Sequence, residues 1–221
     1  MDFNTFINLY NSKKTIGKGL KGIVKEWCIN TNNHSNCVYC EKYVIKSVEL
    51  CDINLELILK IFSLTNDLNI FPKFYNYYQF SQTSKIFIVM DRINISDTSE
   101  IYDVNKLIKN IIIKIHKLHN LNIYHSDLNN RNVILSNNNI YIVDVDSCKD
   151  DITIKNIIND LTTLLQTILY KLNNKHALQR SSTSVSNKFN ENKRKIIKIY
   201  KQYIKELYSN EIYTEFNKVI N

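Results

Sequence analysis

Asp127 and Asp144 stand 17 positions apart with apolar residues just ahead of both, and Asn132 follows the first by five. One short hairpin would bring this carboxylate, amide and second carboxylate to a single edge. Such a trio suits phosphoryl chemistry. Asp127 could accept the proton of an attacking hydroxyl, while Asn132 and Asp144 offer the few hard oxygen ligands that Mg²⁺ takes from protein. A second group lies near the start of the chain. The chain has Gly 3 in all, and the three are Gly17, Gly19 and Gly22 in the run Gly17-Lys18-Gly19-Leu20-Lys21-Gly22-Ile23-Val24. A strand–loop–strand with no Cβ in the way lets backbone N–H groups approach phosphates. Lys46, in Tyr43-Val44-Ile45-Lys46, can meet the same phosphates as a point charge, with Glu56 as its best carboxylate partner and Glu49 a weaker one.

The elements that must position these groups are legible from periodicity. Residues 15–29 and 40–49 read as strands joined in a hairpin by an Asn-rich loop, and if Val24 faces Val44 across it, Cys28 faces Cys40. Positions 53–63 read as a short buried helix. Lys85–Met90 reads as a strand after the aromatic run Phe74–Phe80. Apolar residues at 104, 107, 108, 111, 112, 115 and 118 repeat every 3.6 residues, an amphipathic helix. Strands at Asn132–Leu135 and Ile140–Val143 flank a Ser-Asn-Asn-Asn turn, and Ile154–Leu172 is an apolar helix. Residues 173–190 read as a polar loop, followed by a basic helix over 191–208 and a short terminal helix. Strands first and helices later predict an α+β fold.

Composition narrows the function classes. Hydrophobic residues at 44% and charged residues at 23% exclude collagen and wholly disordered chains. The net charge of +8 favours anionic partners. The 32 Asn, with abundant Ile, Lys and Tyr, match an AT-rich genome and make Asn a poor turn marker here. No apolar run reaches the ~18–20 residues of a membrane span, and no signal peptide is visible, so no membrane partner is expected. Cys 5 is an odd number, which together with those absences predicts a reducing, cytoplasmic setting, the host cytoplasm if the source is viral. Cys28, His34, Cys37 and Cys40 could together bind zinc, or could be unrelated thiols. The stretch Lys188–Lys205 carries seven Lys/Arg against Glu191 alone, a solvated basic face or a site for an acidic or RNA-linked partner.

Taken together, residues 13–170 resemble the protein-kinase-like superfamily. The glycine-rich loop, strand lysine, helix glutamate, His125-Ser126-Asp127-Leu128-x-x-x-Asn132 and Asp144-Val145-Asp146 follow the superfamily's signature order. The resemblance implies ATP and Mg²⁺ as cofactors and a two-lobed fold. Its small antiparallel sheet lobe with one helix would span about 1–91, its hinge 91–96 and its reduced helical lobe 97–221, all as a single domain. It implies Asp127 as base, Asn132 and Asp144 as metal ligands, and Lys46 with Glu56 orienting phosphates under Gly17, Lys18, Gly19 and Gly22. Ile16, Val24 and Val44 would roof the adenine. Met90 would be the gatekeeper, with the backbones of Asp91 and Ile93 binding the base. Asp160 would brace the catalytic loop.

There are departures from the superfamily pattern. Ser126 replaces the loop arginine, Val145-Asp146 replaces Phe-Gly, only 15 residues separate Asp144 from Asp160, and no Ala-Pro-Glu follows. The expectation is a minimal, atypical protein kinase acting on Ser/Thr hydroxyls of acidic proteins. Alternatives are a small-molecule kinase similar to aminoglycoside or choline phosphotransferases, an ATPase-like kinase similar to that of the tRNA-threonylcarbamoylation complex, and a pseudokinase scaffold.

Overall fold

A computed structural model describes residues 1–19, 22–27, 42–93, 103–136, 139–177 and 185–220. It divides into two compact units, Met1–Asn94 and Ile95–Asn221, and the fold is α+β. Among the described residues, no helix is long and apolar enough to cross a membrane.

The first unit is built on five strands: β1 (Thr15–Lys18), β2 (Gly22–Trp27), β3 (Tyr43–Glu49), β4 (Phe74–Gln79) and β5 (Lys85–Asp91). They pair antiparallel in the order β1-β2-β3-β5-β4. Directly paired residues share a face and neighbours along a strand alternate, so the sheet sorts its side chains into two sets. Ile45, Phe87 and Val89 go to one face, where α1 (Phe3–Ser12) covers them with Phe6 and Tyr10. The Phe6 ring lies 4.7 Å from Phe87 and 5.5 Å from Trp27. This helix was not anticipated from the sequence. Its signals are the Asp2 carboxylate, which caps the Thr5 N–H at 3.0 Å, and apolar positions at Phe3, Phe6 and Tyr10. On the opposite face, α2 (Leu55–Thr65), capped by Asn54, stacks Phe62 on Phe74 at 4.8 Å.

The hairpin register corrects one expectation. Val24 pairs with Lys46, and Glu26 pairs with Val44, so Val24 does not face Val44. Close packing of β2 on β3 explains the third glycine. A Cβ at Gly22 would lie 2.2 Å from the Ser47 carbonyl oxygen, whereas one at Gly19 would meet nothing closer than 3.9 Å. The two alanine substitutions should therefore part company. Gly22→Ala should lose about 1–3 kcal/mol of stability through overpacking, whereas Gly19→Ala, where no positive φ is needed, should unfold close to wild type. Thermal denaturation of both variants checks this, and equal melting temperatures would refute the packing role.

The second unit holds α3 (Val104–Asn120), β6 (Val133–Ser136), β7 (Asn139–Ile142), α4 (Ile154–Ala177), α5 (Val185–Leu207) and α6 (Asn210–Ile220). The sequence stripe of α3 is its buried face, with Ile111, Ile112, Ile115 and Leu118 fully enclosed. Tyr200 of α5 donates its hydroxyl to the Leu161 carbonyl at 2.8 Å and packs on Phe216 of α6. The expected polar loop over 173–190 is corrected at both ends. α4 continues through Ala177, and α5 begins at Val185. Helix propagation outward from a packed segment needs only one backbone bond per added residue, so polar composition does not stop it.

Candidate active site

The residues expected at the nucleotide lie in the first unit, and the register gathers most of them. Gly17 pairs with Val24, Val24 with Lys46, and Val44 with Met90, which sets all five on one sheet face. Val44 is buried there and Lys46 half-buried. Ile16, at the irregularity where β1 shifts register, is left 40% exposed, an apolar side chain open to a planar ligand. Lys18 and Gly19 are exposed beyond it. The Gly19 N–H donates to the Gly22 carbonyl at 2.9 Å, so the turn already uses one of the amides that the sequence reading assigned to phosphate.

The other expected members of this group lie on α2, β3 and β5 and just beyond β5. Glu56 is exposed in the first turn of α2. Glu49 is engaged at the far end of β3, accepting from Ser84 Oγ at 2.6 Å and lying 3.4 Å from Lys85 Nζ. The Asp91 N–H donates to the Lys73 carbonyl at 3.0 Å, so that residue's contribution to a base would come from its carbonyl. Asp91 also accepts from Tyr75 at 2.8 Å, and burial pushes that phenol up to about 12. Ile93 is half-buried just beyond β5. Beside it, Arg92 pairs with Glu26 at 3.0 Å, an ion pair that the sequence reading missed because its members are 66 positions apart.

The residues expected to act on the phosphoryl group lie in the second unit, Asp127 and Asn132 between α3 and β6 and Asp144 just after β7. Both carboxylate oxygens of Asp127 are held. Oδ1 accepts from Asn129 Nδ2 at 2.7 Å and Oδ2 from Asn132 Nδ2 at 2.9 Å. The Asn132 amide also donates to the Asp127 carbonyl at 2.9 Å, which turns the Asn132 Oδ1 away from these bonds as a hard oxygen donor. Its backbone carbonyl accepts from the Val143 N–H at 2.8 Å, and so ties Asn132 to the residue before Asp144. Asp144 sits at φ 73°, a left-handed conformation rare outside glycine, and its Oδ2 accepts from Ser147 Oγ at 3.0 Å. An amide oxygen and a carboxylate on neighbouring backbone segments are a donor set that suits Mg²⁺.

A buried network fixes the backbone of this segment. Asp160 of α4, 1% exposed, accepts from the His125 N–H at 2.7 Å and the Ser126 N–H at 3.0 Å. These bonds hold Ser126 at φ 60°, a strained position for serine. The Ser126 hydroxyl donates to the Ser147 carbonyl at 2.6 Å and so lashes the Asp127 segment to the one after Asp144. His125 adds a parallel tie. Its Nε2 donates to the Val143 carbonyl at 2.8 Å, and Nδ1 faces the Asp127 N–H at 3.4 Å.

Behind Asp160 the network continues to the end of α5. His119 Nε2 donates to Asp160 Oδ2 at 3.2 Å, and the Tyr208 hydroxyl bonds His119 Nδ1 at 2.8 Å. Burial, and then the Asp160 charge, hold the Tyr208 phenol well above its ordinary range, so it keeps its hydrogen to donate. Burial likewise pushes the Cys148 thiol well up. His119, Ser147 and Tyr208 carry no motif, and only the fold brings them to this segment.

Cys28, His34, Cys37 and Cys40 lie outside the described residues. Among the described ones, no group of three or more His, Cys, Asp and Glu could hold a metal.

With this geometry in view, the chain's relatives become informative. The model of the Lipopolysaccharide kinase (Kdo/WaaP) family matches residues 97–209, just over half of the 221. The chain belongs to that family. The match runs from ahead of α3 to the end of α5, so it covers Asp127, Asn132, Asp144 and Asp160 and leaves the glycine-rich sheet outside. Family membership makes this a protein-kinase-like chain. Among solved structures, the kinase PK-1 of the Cydia pomonella granulovirus is similar at 19% identity and a TM-score of 0.48. The alignment covers 66% of this chain and 58% of that one, so the chain spans less than two thirds of that kinase's length. No curated protein matches.

Proposed function

We propose that this Kdo/WaaP-family protein transfers the γ-phosphoryl group of ATP to a hydroxyl. The observation that carries the reading is the Asp127 carboxylate, held through both oxygens on a backbone that Asp160 pins. A base fixed in this way meets the positional demand of phosphoryl transfer, which rests on placement and charge neutralisation. In the reading, Asp127 accepts the hydroxyl proton, and Asn132 and Asp144 supply oxygen ligands to Mg²⁺. Lys46 neutralises phosphate charge, with Glu56 as its proposed orienting partner. Ile16, Val24, Val44 and Met90 take the adenine, with Asp91 and Ile93 offering backbone groups. ATP brings the transferable group and Mg²⁺ neutralises its oxygens. In the same reading Gly17, Lys18, Gly19 and Gly22 lie over the phosphates.

For the acceptor we propose a Ser/Thr hydroxyl on an acidic protein, because the last third of the chain is strongly basic. A carbohydrate hydroxyl is the second reading, favoured by the family's name and its match over residues 97–209. Incubation with γ-labelled ATP and Mg²⁺, offering casein and a lipopolysaccharide core oligosaccharide in parallel, separates the two. The expected result is casein labelled on Ser/Thr, weakening as salt rises, since attraction between exposed charges is screened beyond about 8–10 Å at 0.1–0.15 M. Transfer to the oligosaccharide alone would overturn the protein-acceptor reading and leave the phosphotransferase reading intact. Transfer to neither, with no ATP turnover, would overturn both.

A further inference from the structure

The basic helix places its charges in a definite pattern. Arg194, Lys198, Lys201 and Lys205 follow one another at intervals of four, three and four residues, the spacing of a single stripe on a helix. With Ile197 and Tyr213 they line a groove of about 580 Å³ between α5 and α6. The stripe lies on the side of α5 away from Ile196, Tyr200 and Tyr203, which are buried. Arg194, Lys198 and Lys205 are exposed and make no ion pair with any described carboxylate. α5 carries two acidic residues, Glu191 one turn before Arg194 and Glu206 beside Lys205, and Glu206 is bonded to Gln202 at 2.9 Å. By contrast Lys193 and Lys195, equally exposed, do not line the groove.

We propose that this groove binds an acidic peptide segment in extended conformation. At a rise of about 1.5 Å per residue the stripe is roughly 16 Å long, with cations every ~4.5–6 Å. An extended chain rises about 3.3 Å per residue and sends alternate side chains to one side every ~6.6 Å. About five residues would fill the groove, with Asp or Glu at every second position meeting the cations. Ile197 and half-buried Tyr213 supply apolar surface beneath the peptide backbone. A single-stranded nucleic acid would meet the same charges but stacks its bases on aromatic faces, of which the groove lining offers half-buried Tyr213 alone. Tyr200, Tyr203 and Phe216 are buried, and no aromatic residue described on α5 or α6 is among the exposed large hydrophobics. The proposal does not rest on the phosphotransferase reading, and its test reads binding alone.

The test uses the full chain and a fluorescein-labelled ten-residue peptide with Asp at alternate positions, followed by fluorescence anisotropy. Two charge-matched double variants separate the groove from overall charge: K198Q/K205Q inside it, and K193Q/K195Q on the same helix outside it. All four positions are exposed, so both variants should fold, which circular dichroism checks. The groove pair should weaken peptide binding by about tenfold or more, and the outside pair by less than about threefold, with the wild-type affinity falling as salt rises. A labelled ten-nucleotide oligouridylate is run alongside. No binding of the peptide to wild type, equal losses in the two variants, or tighter binding of the oligonucleotide than of the peptide would each overturn the proposal.

Discussion

Asp127→Asn should reduce phosphoryl transfer by about 10²–10⁴-fold, the contribution of a positioned general base, while ATP still binds. The substitution keeps the side chain's size and removes its basicity. It also sets an NH₂ against one of the two amides that now donate to the carboxylate, from Asn129 and Asn132. Half-buried Asn129 can turn away, so the stability cost should stay near 1 kcal/mol, the net value of one hydrogen bond. Rates of labelled-phosphate transfer, with nucleotide binding and melting temperature measured on the same preparation, check all three expectations. A variant that binds ATP, melts like wild type and transfers at more than a tenth of its rate would remove Asp127 from the chemistry.

The largest loss of stability is expected at Asp160. Asp160→Ala leaves the His125 and Ser126 N–H groups and the His119 Nε2 without their acceptor, in a position 1% exposed. Each orphaned buried donor costs about 1–3 kcal/mol, and the whole change should reach about 3–5 kcal/mol. At about 2–4 °C per kcal/mol for a chain of this size, the melting temperature should fall by roughly 6–20 °C. The network also ranks milder variants. Asp160→Asn keeps one acceptor oxygen and should lose less. Tyr208→Phe removes only the outer hydroxyl on His119, at about 1 kcal/mol. Activity should fall faster than stability along this series, because the strained Ser126 backbone that leads into Asp127 is released first. If Asp160→Ala melts with wild type, the bracing role is refuted.

The sequence by itself determined what could be read from local pattern. Apolar periodicity settled α3, because its stripe had only to face inward for burial to follow. Strand signals concentrated in the first half and helix signals in the second settled the α+β class. Residue type and spacing were enough to single out Asp127, Asn132 and Asp144, because H-x-D-x-x-x-x-N and a later Asp behind an apolar strand combine uncommon chemistry with narrow spacing. The glycines stood out because there were three of them in 221 residues.

Tertiary structure decided everything that depends on register or on distant partners. Nothing local says that Val24 lies opposite Lys46 and not Val44, because a slip by two keeps each side chain on its own face and leaves the hydrophobic pattern unchanged. That register gathers Gly17, Val24, Val44, Lys46 and Met90 on one face, and it presses Gly22 against Ser47, which gives that glycine a packing reason. The extents of α4 and α5 escaped a reading by composition because helices propagate from packed cores into polar sequence. His119, Ser147 and Tyr208 reach the Asp127 segment through hydrogen bonds spanning 21 to 89 positions, and no spacing rule covers such bonds. Likewise, the seven cations near the end of the chain were visible as a charge run. Only the packing of α6 beside α5 selects the four that border a groove, because a helix distributes consecutive residues around its circumference and a neighbour is needed to make one stripe concave.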